Sequence, residues 1–123
     1  MKFERQSGAP SGVLIYIIVA DVSSLPIVQT RKGVPYKVGT SRNPKFRLKQ
    51  IQTGCPFRLK IFYGDLSTGY DDGRDEKEIH RRLVDSAVGG EWFWGDPEDA
   101  YRVICEINNE NGDREYENWR RSL

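Results

Sequence analysis

Residues 13–19, VLIYIIV, form an unbroken apolar run rich in β-branched residues. The run falls well short of the roughly 18–20 residues a membrane span requires. It also lacks the polar–apolar alternation of a half-exposed strand. It therefore reads as a central strand covered on both faces, and the rest of the chain has to supply that cover. Tyr16 sits inside this run, where its hydroxyl needs a hydrogen-bond partner and its phenol can serve as a general base beside a cation.

The neighbouring elements follow from punctuation and period. Residues 1–12 are polar and read as a loose tail. Residues 21–35, with Pro26, Gly33 and Pro35, read as a long connection whose middle can extend a hairpin, and residues 36–39 as a second strand. Asn43-Pro44 marks a helix start, cap then first helical residue, with a stop before Gly54 and Pro56. Residues 57–63 alternate, with Phe57, Leu59, Ile61 and Tyr63 expected on one face and Arg58 and Lys60 on the other. After a Gly/Asp-rich loop at 64–73, residues 75–87 carry helical period with Ile79, Leu83 and Ala87 as the stripe. Asp96-Pro97 opens a last helix, and residues 113–123 add a short one. The order β-β-α-β-α-α defines an α+β domain over residues 13–110, with a tail at 111–123.

Charge is unevenly placed. Residues 31–60 hold nine of the nineteen Lys and Arg residues and no acid, in a chain of net charge +1. Concentrated positive charge is the footprint of a polyanion, and the alternative is a solvated surface paired with the acidic half. The candidate phosphate contacts are Arg31, Lys32, Arg42, Lys45, Lys49, Arg58 and Lys60. Cys55 and Cys105 lack ligand spacing and read as free thiols, which suggests a cytoplasmic setting. The single histidine, His80, excludes most zinc patterns. No signal peptide or membrane span is expected.

Two further residues draw attention by position. Glu76 and His80 fall on the apolar face of the 75–87 helix, where a carboxylate has to be paired, hydrogen-bonded or metal-bound. Arg47 stands at the edge of the first helix's inner stripe of Leu48 and Ile51, where it can meet a phosphate bidentately or lie solvated.

The segments LIYII (14–18), YKVGTS (36–41), NPKFRLKQIQTG (43–54), EKEIH (76–80) and GEWF (90–93), taken in order, resemble the GIY-YIG nuclease superfamily, in its small phage and bacterial branch. The resemblance implies a small mixed domain around a three-stranded antiparallel sheet flanked by helices. It implies a DNA endonuclease with Tyr16 as general base, Arg47 on the scissile phosphate and Glu76 binding one Mg²⁺ or Mn²⁺. Lys37 would assist the base or hold the water, His80 would bear on the site, Glu91 would support it, and Trp92 would anchor packing. Leu14 stands where the first motif has glycine, and Lys37 where the second has tyrosine, with Tyr36 adjacent. Specificity would be weak or structure-directed, or come from a separate partner chain. Two alternatives stay open: a non-catalytic nucleic-acid-binding module on the same fold, and a domain whose basic face meets an acidic protein.

Overall fold

A computed structural model describes residues 12–23, 32–69 and 72–123. The elements are β1 (Leu14–Asp21), β2 (Val34–Ser41), α1 (Pro44–Thr53), β3 (Arg58–Leu66), α2 (Asp72–Arg82), a 3-10 turn (Val84–Ser86), β4 (Ala87–Gly89), β5 (Trp92–Gly95) and α3 (Pro97–Arg121). The strands form one antiparallel sheet in the order β3-β1-β2-β5-β4. The apolar run is indeed interior, with β2 on one side and β3 on the other.

Alternation along β1 splits its residues between two layers. Ile15, Ile17 and Val19 join Tyr36, Val38 and Phe93 beneath α2 and α3, which contribute Ile79, Leu83, Ala100, Ile104 and Ile107. Tyr16, Ile18 and Ala20 face the other way with Leu59, and Leu48 and Ile51 of α1 close over them. We call these the back and front faces. The front also carries Trp92 and Trp94, which partly bury themselves against the same cluster.

Helix α1 starts as its punctuation predicts. The Asn43 side chain accepts from the Phe46 amide at 3.1 Å, and Pro44 occupies the first helical position. Gln52 then ties the helix end to β3, accepting from Leu59 N and donating to Phe57 O, each at 2.8 Å.

The structure differs from the sequence reading in four places. The sheet has five strands, because the hairpin β4–β5 adds two short ones. Helix α2 ends at Arg82, and Ala87 is an exposed strand residue. The stripe of Ile79 and Leu83 extends to Ala87 only on paper; Gly89 and Gly90, both at positive φ, enforce a turn there that a helix would not allow. Tyr63 lies on the back face, not with Leu59 and Ile61, because the β1–β3 register slips by one residue between Ile17 and Ile18. Lastly, residues 113–121 continue α3 and form no separate helix. Gly112 would weaken that helix by about 1 kcal/mol. The buried Asn111 beside it anchors the stretch, donating to Thr68 O and to the Asp75 carboxylate, both at 3.0 Å.

Candidate functional site

The site begins where β5 stops. β5 pairs with residues 34–37 of β2 and no further, so the strand edge at Gly39 and Thr40 carries no β5 partner. Side chains from the two faces can meet around that open edge.

Tyr16 reaches it from the front. Its ring lies across Gly39, its cross-strand partner. A Cβ on residue 39 would sit 2.4 Å from the Tyr16 hydroxyl oxygen, so only glycine leaves room. Arg47, exposed on α1 with its guanidinium donating to Gln50 Oε1 at 3.4 Å, lies close enough to the Tyr16 hydroxyl to act on its titration. Burial pushes the phenol above its ordinary value. Arg47 pulls it down, and the charges of Glu91 and Glu76 push it up again.

Glu76 reaches the same edge from the back, on the first half of α2. It accepts from the Thr40 hydroxyl at 3.2 Å. One turn later, His80 Nε2 lies 2.9 Å from the Val38 carbonyl oxygen. A carbonyl only accepts, so Nε2 carries the proton. The ring packs against Phe93, with centroids 5.3 Å apart.

Glu91 closes the circle. Its backbone carbonyl accepts from Val38 N, and its carboxylate lies close enough to Glu76 for each to act on the other's titration. On the other side it meets the Lys37 ammonium at 2.5 Å. Lys37 is largely buried, with its ammonium 6.0 Å from the centre of the Trp92 ring. The surroundings of the two carboxyls push their titrations in opposite directions. Burial raises Glu76, and the charge of Glu91 raises it further. Burial also pushes Glu91 up, but the hydrogen bond and charge of Lys37 outweigh it and hold Glu91 below its usual value. Of the two, Glu76 therefore takes up a proton the more readily.

Tyr16, Lys37, Arg47, Glu76 and His80 thus belong to one connected cluster. Tyr36 does not: it faces the back layer and stacks on Phe93 at 5.5 Å. The basic residues are more scattered. Lys32, Arg42, Lys45 and Lys49 are exposed. Arg58 and Lys60 are also exposed, but they sit opposite Asp21 and Val19, on the back side of β3 and away from Tyr16. Arg31 lies outside the described residues. Gly39 and Thr40 are members that the sequence reading passed over. An isolated glycine inside a strand is itself a signal of close approach; Thr40 gave none.

A hard divalent cation takes oxygen ligands, and Mg²⁺ is commonly held by one or two carboxylates, with waters and phosphate oxygens completing the shell. Glu76, whose carboxylate stands at the open edge of β2 beside Thr40, fits that donor set. Among the described residues no group of three or more His, Cys, Asp or Glu gathers into a closed cage.

Residues 14–108 match the T5orf172 domain. The chain belongs to that family, a phage-associated domain of nuclease-related type. Comparisons with curated proteins and with solved structures found no match. Among the described residues no helix is long and apolar enough to cross a membrane.

Proposed function

We propose that this domain is a metal-dependent DNA endonuclease of the GIY-YIG type, hydrolysing a phosphodiester by in-line attack of water. The observation that carries the proposal is the placement of Glu76, bonded to Thr40, and of the Lys37–Glu91 ion pair at the open edge of β2 where Tyr16 lies over Gly39. A phosphate entering there meets a guanidinium on one side and the Glu76 carboxylate on the other.

Glu76 would hold one Mg²⁺ or Mn²⁺, which when bound supplies charge stabilisation for the leaving 3′ oxygen. Arg47 binds non-bridging phosphate oxygens and orients the phosphorus. Tyr16 stands as acceptor of the water proton; its phenol is ionised only as far as positive charge offsets its burial, and Arg47 is the charge the chain itself supplies. His80, its Nε2 committed to Val38 O, steadies α2 against β2 and so fixes the height of Glu76. The attacked P–O3′ bond breaks to leave 3′-hydroxyl and 5′-phosphate ends. Exposed Arg42, Lys45 and Lys49 grip the flanking backbone, and sequence choice is left to a partner chain in the cytoplasm.

The test is cleavage of supercoiled plasmid with Mg²⁺ or Mn²⁺ by the wild type and by Glu76→Ala. Loss of nicking by at least about 10²-fold in the variant, with DNA binding retained, is expected. Equal nicking by both proteins overturns the assignment. Salt-dependent binding without cleavage under any divalent metal would favour the non-catalytic module, a reading supported by Leu14 in the place of the first motif's glycine.

A further inference from the structure

Lys37 is the cation of the cluster that the chain has already neutralised. Its side chain is only 10% exposed, and a buried ammonium is costly without a counter-ion. Glu91 provides that counter-ion from a rigid support. The Gly89–Gly90 turn leads into it, and its carbonyl is tied to Val38 N, the residue after Lys37. The lysine stem lies between Ile18 and Trp92, its neighbours on the flanking strands. The Glu91 carboxylate also lies near enough to Glu76 to raise its titration by charge.

We propose that Glu91 is a positioning residue, holding the Lys37 ammonium one carboxylate away from Glu76 so that Lys37 serves the chemical step and not the grip on phosphate. The inference rests on the nuclease reading above. An ion pair carries no net charge, so it adds little to the attraction of a polyanion; the exposed cations do that work. A lysine fixed at the Glu76 carboxyl is instead placed to donate to the attacking water or to the phosphate oxygen that gains charge. The lysine in the place of the second-motif tyrosine would then depend on an acid from a distant hairpin.

The experiment compares wild type, Glu91→Gln, Lys37→Met and the double variant on a labelled DNA duplex. Single-turnover cleavage with Mn²⁺ gives the rate, and metal-free binding at several salt concentrations gives Kd and its salt slope. Each single variant is expected to lower the rate by about 10²-fold. The double variant should be no slower than the worse single within about threefold, because both remove one device. Kd should stay within about twofold of wild type and the salt slope should not change. Multiplicative rate losses in the double variant overturn the inference, as does a slope reduced by about 0.9 in Lys37→Met, the signature of a lost phosphate contact. A Mn²⁺ midpoint raised by Glu91→Gln but not by Lys37→Met also overturns it, making Glu91 a direct metal ligand. Thermal melting checks folding; if either substitution unfolds the chain, Glu91→Asp and Lys37→Arg are read in its place, with partial rescue expected. Cleavage abolished by Glu76→Ala yet untouched by Glu91→Gln overturns this inference alone. Absence of cleavage by the wild type with either metal overturns the nuclease reading and this inference together.

Discussion

The two faces of the sheet start from the same strand and end in different chemistry. On the back, Ile15, Ile17, Val38 and Phe93 meet α2 and α3 in an apolar layer. On the front, α1 covers Ile18, Ala20 and Leu59, while the same layer continues into Tyr16, Lys37 and Gly39. The polar side chains of the site gather at and just beyond the end of the β2–β5 pairing, from Lys37 to Thr40. One strand therefore serves both stability and site, and the two uses should separate under mutation.

The largest effect should come from the back. Phe93→Ala removes a ring that is 1% exposed and packs on both Tyr36 and His80. A loss of about 3–5 kcal/mol in chemical denaturation is expected, with activity falling only in step with the folded fraction. A loss below about 1 kcal/mol would break the division between the faces.

Gly39→Ala tests the front. The added methyl meets the Tyr16 hydroxyl at a distance no real contact tolerates, and the tyrosine has to move. Destabilisation of about 1–3 kcal/mol is expected, together with a larger fall in cleavage than Phe93→Ala gives at matched folded fraction. Near-normal cleavage would show that Tyr16 need not hold its place over residue 39.

The smallest effect has an unusual sign. Because the Glu76 carboxyl is raised in the folded domain, the folded state binds that proton more tightly than the unfolded chain. The contribution is present below the unfolded pKa and lost as pH rises through the folded one. Glu91, held low by Lys37, works oppositely and loses its contribution as pH falls. Glu76→Gln should therefore melt a few degrees higher than wild type near pH 7.5 without divalent metal, and the gap should narrow toward pH 4. A variant less stable than wild type at pH 7.5 would show that Glu76 serves stability.

Much of this could be read from residue order, and the failures have physical causes. β1 was legible because an unbroken apolar strand has only one place in a sheet. α1 was legible because Asn43-Pro44 is both cap and first turn. β4 and β5 were hidden by their length, three and four residues, and by a helical stripe that runs on into Ala87. The side taken by Tyr63 was set by a bulge, which no alternation pattern reveals. In the site, Glu76 and His80 announced themselves by helical spacing. The meeting of Glu91 with Glu76 and Lys37 did not, since it depends on how a two-glycine turn aims the residue after it.

Asn111, past the middle of α3, binds both Thr68, just past the end of β3, and Asp75, the neighbour of Glu76. The residues that match the family end at 108. A chain trimmed to that match would keep every motif and yet cut away the tether that seats the start of α2. Cutting back to residue 108 is therefore expected to loosen the start of α2, because these hydrogen bonds lie three residues beyond where the family match stops.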